Sequence, residues 1–228
     1  MDPLVLVGQA EIQGTLPKAL ARKVRSRAKT LEAAVVRVEK AAGLPYPPYY
    51  VEPVLPVSRS GVEFGQMGVL FARVLPATVQ DSLSIVVQFT AALLAFGTKG
   101  TIEAVAGHEF THYVDLVRRL SRTNLLSDER SSTLFESAYA DSEKTIPPKL
   151  LFSDKALVRL INRKFGIGLA DEGLNERVSD KWIGKELPVR IVGPEDNVVR
   201  VGVGTVLNTT FDPRVLQKIA AIEEMTRS

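Results

Sequence analysis

The chain has 228 residues, 45% of them hydrophobic and 24% charged, and Lys plus Arg at 29 against Asp plus Glu at 26 leave a net charge of +3. That length and mixture suit one large domain, or one domain with a small appendage, with a core of its own, which argues against global disorder, and the net charge is too small to predict a nucleic-acid protein on charge balance alone. Cysteine is absent, so disulfides, thiolate metal ligands and a cysteine nucleophile are excluded together.

The start, Met1 to Val7, lacks the basic leader of a secretory signal peptide, and an intracellular, cytoplasmic setting is expected. Residues 4 to 7 predict a short apolar strand. From about Leu16 to Ala42, Leu20, Val24, Ala28, Leu31, Val35, Val38 and Ala42 recur at spacings of three and four. This predicts one long helix with a buried face, stopped by Gly43 and Pro45. Its first half carries Lys18, Arg22, Lys23, Arg25, Arg27 and Lys29. Such a run is ordinarily a solvated face, and no interleaved aromatic residues favour base stacking, so a nucleic-acid contact is the lesser reading.

Pro45 to Pro56 holds five prolines and three tyrosines and predicts an extended connection. Gly61 to Pro76 contains a strand pattern at Val69, Phe71 and Val74. Ser82 to Thr98 has no charged residue, but at 17 residues, with Ser84, Gln88 and Thr90 inside it, it is too short and too polar to span a membrane. It predicts a buried strand over Leu83 to Phe89 and a turn through Ala91 to Phe96, leading into a helix with Thr101 at its N-cap and Glu103 in its first turn.

That helix carries Gly107-His108-Glu109-Phe110-Thr111-His112, and His108 and His112 are the only histidines in the chain. Positions i and i+4 lie one above the other on a helix face, so the two imidazoles can reach one cation. Glu109, about 100° further round the axis than His108, lies beside such a cation and can take a proton from water there. The apolar residues Ile102, Ala104, Val105 and Ala106 before the motif and Val114, Leu116, Val117 and Leu120 after it place it mid-helix.

This HExxH pattern resembles that of the zincin metallopeptidases, and Ile85-Val86-Val87, Leu93-Leu94 and Ile102 to Glu109 together look like the strand, turn and active-site helix shared by many of them. The resemblance implies that the strand is a sheet edge beside the substrate cleft. It also implies an α+β, zincin-like fold in which a small mixed sheet packs on the active-site helix, with a helical C-terminal part.

A hydrolytic zinc site takes three protein ligands and an open position. With no third histidine and no cysteine, the remaining ligand is a carboxylate, which points to the gluzincin branch. Ala170-Asp171-Glu172-Gly173-Leu174-Asn175-Glu176 resembles that branch's glutamate signature, and Glu172 is the preferred ligand on that resemblance. Phe135-Glu136-Ser137-Ala138-Tyr139-Ala140-Asp141 resembles its other helix motif, but Glu136 and Asp141 are five apart where the motif needs four; Glu136 stays as second candidate, with Glu129 and Asp141 behind it. Asp115 is a candidate for orienting an imidazole. The family's use of a tyrosine to steady the oxyanion makes Tyr139 a second catalytic candidate beside Glu109.

Lys155 to Phe165 predicts a helix with Leu157, Leu160 and Ile161 inward. Leu187 to Val192 and Val198 to Val203 predict a hairpin, and a closing helix follows, capped by Asp212 with Pro213 at its first position. The expected organisation is one domain over residues 1–228, with an N-terminal helix and strands in 1–80, a catalytic core in 81–182, and the hairpin and closing helix in 183–228. The expected activity is that of a Zn2+-dependent peptidase acting on a peptide or protein substrate. The alternative is a non-catalytic zincin-fold regulatory or binding protein, associated with nucleic acid through the basic N-terminal helix.

Overall fold

The computed structural model describes residues 2–58, 68–79, 82–122, 146–166, 168–192 and 209–227. Over these it is a mixed α+β fold of small mixed sheets and several helices. Tyr139, Glu129, Glu136, Asp141 and the Val198 to Val203 half of the expected hairpin lie outside the described residues.

The N-terminal part differs from the sequence reading in two places. Residues 4 to 7 belong to helix α1 (Val5–Ile12), not to a strand. A four-residue apolar run does not fix its own period, and here helix-compatible Gln9, Ala10 and Glu11 extend it, while Asp2 accepts a bond from Leu4 N at 2.9 Å just ahead of the first turn. The long helix is two, α2 (Lys18–Ser26) and α3 (Ala28–Ala42), divided at Arg27. No glycine or proline marks that division. The two pieces bury separate faces, Ala21 and Val24 in one, Leu31, Ala34, Val35, Val38, Ala41 and Ala42 in the other. Gly43 closes α3 at φ 68°, a conformation open to glycine without a Cβ penalty.

The proline-rich connection contains two strands, β1 (Tyr49–Glu52) and β2 (Leu55–Ser58). After β3 (Gly68–Val69) come β4 (Ala72–Val79) and β5 (Ser82–Thr90). The main sheet has the order β1-β5-β4, with β1 parallel to β5 and β4 antiparallel to it. The strand expected at the sheet edge is therefore central. Its second neighbour, β1, comes from the segment read as connection, where prolines at 45, 47 and 48 precede the pairing residues rather than interrupt them. Leu83, Ile85, Val87 and Phe89 of β5 alternate inward.

Thr90 then accepts from Leu93 N at 3.2 Å and starts helix α4 (Ala91–Phe96) where a turn was expected. The motif helix α5 runs Lys99–Arg122. Thr98, not Thr101, supplies its cap, accepting from Thr101 N at 3.1 Å. Beyond the undescribed stretch lie α6 (Pro148–Leu151), α7 (Lys155–Lys164), the tight pair β6 (Phe165–Gly166) and β7 (Gly168–Leu169), and α8 (Glu172–Lys181). Strand β8 (Val189–Val192) joins a second sheet, of order β3-β2-β8, by pairing parallel to β2. The closing helix α9 (Pro213–Arg227) starts as expected, with Asp212 accepting from Arg214 N at 2.8 Å.

Helix α5 is the element that the others surround. α3, α7 and α9 pack on it, and the sheet supplies a further face. Ile102, Val105, Ala106, Phe110, Val114 and Val117 are buried in one continuous core running from Val7 to Ile222, and Ala104 is buried too. Among the described residues no helix is long and apolar enough to cross a membrane.

The N-terminal half of α5 is joined to α8 through Asp171. Its carboxylate accepts from Thr101 Oγ1 at 2.5 Å, Lys164 Nζ at 2.8 Å and Leu174 N at 3.0 Å. Burial opposes the charge, but the bonds from Lys164, Thr101 and Leu174 outweigh it and hold the carboxyl below its usual range. A depressed folded-state pKa adds stability above the unfolded value of about 3.9 and loses it as pH falls through the folded value. Asp171→Asn is therefore expected to cost about 1–3 kcal/mol in urea denaturation at pH 7, with the gap to wild type narrowing as pH falls below about 4. A gap independent of pH would show that the carboxylate's charge contributes nothing.

Candidate metal centre

The helical spacing of His108 and His112 does what it predicts. The two Nε2 atoms face each other at 2.9 Å, with the rings nearly perpendicular at 83°. Two ligands on one tetrahedral ion at about 2.0–2.1 Å stand about 3.3 Å apart, so the pair is close to chelating geometry. The donor set fits a divalent metal of the zinc type, for which neutral imidazole nitrogen is the commonest ligand.

His108 is held neutral. Burial, and after it the neighbouring His112, pushes its pKa down to about 3. Phe165, which follows α7, lies flat on the imidazole, with centroids 3.8 Å apart and planes 7° from parallel. The sequence reading placed Phe165 at the end of a helix and gave it no role. Only its position after Lys164, ahead of Gly166 and Gly168, hints at the tight strand pair that carries it.

Glu109 is buried at 6% exposure, one residue round from His108. Its charge reaches Tyr46, whose phenol is pushed well above its ordinary range by burial first and then by Glu109. The Tyr46 hydroxyl donates to Ala106 O at 2.9 Å and its ring stacks on Phe110 at 5.4 Å, so the tyrosine braces the turn of α5 that carries the motif. Tyr46 was read as part of an extended connection and was missed as a support.

The other candidates separate. Asp115 is buried, and its carboxylate is engaged by Arg118 and, at 2.7 Å, by Arg119 rather than by an imidazole. Glu172 is exposed in the first turn of α8, as is Glu176 one turn on. Its neighbour Asp171 is bound to Thr101, about two turns of α5 ahead of His108. Among the described residues no group of three or more His, Cys, Asp or Glu gathers around one point. His108 and His112 are brought together, with Glu109 next to His108 in the chain, and neither Glu109 nor Glu172 completes a group of three with them.

With only two imidazoles in the chain, proton NMR of the metal-free protein reads each directly. One resonance should stay neutral down to about pH 3, and in Phe165→Ala it should titrate measurably higher. An unchanged titration in the variant would remove Phe165 as the source of the burial. Compared with protein-family models, with curated proteins and with solved structures, the chain matches none of them.

Proposed function

We propose that the chain is a zinc-dependent peptidase of the zincin type, holding its metal with His108, His112 and a carboxylate. The observation that carries this reading is the pair of Nε2 atoms 2.9 Å apart on successive turns of α5, with a buried glutamate one position after the first.

Zinc at such a pair supplies Lewis acidity, polarising a carbonyl and lowering the pKa of water from 15.7 to about 7. The chain supplies the rest. The two imidazoles, on a helix packed from several sides, need open by only a few tenths of an ångström to present their nitrogens to one ion. The Glu109 carboxylate takes the proton of the attacking water and returns it to the leaving amine, and its burial restricts it to one orientation. Phe165 keeps water off one face of His108. The third ligand is Glu172 or Glu136, and Tyr139 is the oxyanion donor that the resemblance offers.

Glu109→Gln keeps the shape and removes the base. In the zinc-loaded protein, assayed against a mixed peptide library, it should lower turnover about 10²- to 10⁴-fold while metal content stays at the wild-type value. Turnover equal to wild type would contradict the role of Glu109. A wild-type chain that binds zinc and cleaves nothing in the library would leave a non-catalytic zincin-fold binding protein.

A further inference from the structure

The basic run near the N-terminus has no part in the peptidase reading, and the fold breaks it up. Arg25 is taken up by an ion pair with Glu11. The division between α2 and α3 brings two others to the end of α4. Arg27 Nη2 donates to Gly97 O at 2.7 Å, and the Lys23 ammonium lies 4.6 Å from the centre of the Phe96 ring. From a segment far away in sequence, α8 adds Arg177, whose Nε donates to Phe96 O at 3.0 Å, with Lys181 four positions on along the same helix face.

Cations at the carbonyl end of a helix are favourable in themselves, which accounts for the two arginine bonds. It does not account for the two lysines added to them. Among the described residues, no carboxylate pairs with Lys23, Arg27, Arg177 or Lys181. Arg27 Nε is buried without a hydrogen-bond partner. The Lys23 ammonium is held below its ordinary range by burial first, then by the charges of Lys181, Arg27 and Arg177. Like charges gathered in this way raise the free energy of the site until an anion joins them.

We propose that Lys23, Arg27, Arg177 and Lys181 form a binding site for a phosphate-class oxyanion. The Arg177 Nη1 and Nη2 groups, not used by the Phe96 carbonyl, provide a planar pair of donors that match phosphate oxygens, and Arg27 and the lysines provide charge around it. The oxyanion is either a free polyphosphate or the phosphodiester backbone of a single-stranded nucleic acid. The site is built from α2, α4 and α8, shares no residue with the histidine pair and does not depend on the peptidase reading.

Calorimetric titration of the full chain at low salt with sodium tripolyphosphate, and separately with an oligothymidylate about twelve nucleotides long, tests it. Lys181 is exposed and makes no structural contact that Lys181→Glu would break, and Lys23→Gln removes a second charge without reversing it. Each is expected to weaken binding about tenfold or more, while Arg159→Glu, an exposed control on α7, leaves it unchanged. Binding of both probes, with the oligonucleotide's salt slope reduced by about 0.7 per lost cation, assigns the site to nucleic-acid backbone; binding of tripolyphosphate alone assigns it to small polyphosphates. The proposal is overturned if neither probe binds, or if Arg159→Glu weakens binding as much as Lys181→Glu does.

Discussion

The arrangement of the candidate centre depends on how closely α7 approaches α5 at Gly107. A methyl group at that position would stand 2.6 Å from Ile161 Cδ1 and 3.2 Å from its Cγ1, so the missing side chain lets one helix settle against the other immediately before His108. Leu157 and Ile161 of α7 are fully buried there, each contributing about 1.5–3 kcal/mol of apolar burial. α7 ends three residues beyond this contact, at Lys164. Phe165, the first residue after it, then falls flat on His108, and Lys164 falls within reach of Asp171. Gly107 is thus a packing residue as well as the one that precedes the motif.

A second constraint acts from the opposite end. Asp171 caps α8 and is bonded to Thr101 in the first turns of α5, while Arg177 of α8 holds the Phe96 carbonyl at the end of α4. The same helix therefore anchors the start of the motif helix and completes the basic cluster. It also carries Glu172, exposed next to Asp171.

Elements with strong local signals were legible in the sequence. The motif helix, the buried strand after Ser82, the helix from Lys155 and the Asp212-Pro213 start of the last helix all carry a clear period or cap, and the structure has each within a few residues. The mistakes fall where local signals are weak or tertiary contacts decide. The run at residues 4 to 7 has no period of its own. The division at Arg27 has no breaker residue and is made by the separate burial of two short faces. β1 hides in a proline-rich segment and becomes a strand only because β5 offers it a parallel edge, and that pairing moves β5 from the sheet edge to its centre. At the site, i to i+4 spacing places the two imidazoles together because a helix fixes it locally. The cover from Phe165, the brace from Tyr46 and the meeting of Arg177 with Lys23 are long-range contacts that no spacing in the sequence encodes.

The central claim is that the two histidines hold a metal. Elemental analysis of purified chain after zinc loading and dialysis, run beside His112→Ala, Glu172→Ala and Glu136→Ala, tests it most directly. The account predicts about one zinc per chain, lost in His112→Ala and in one of the two glutamate variants, which names the third ligand. Absence of bound zinc in the loaded wild-type protein, or full retention in His112→Ala, would contradict it and make the histidine pair a packing feature of a core helix.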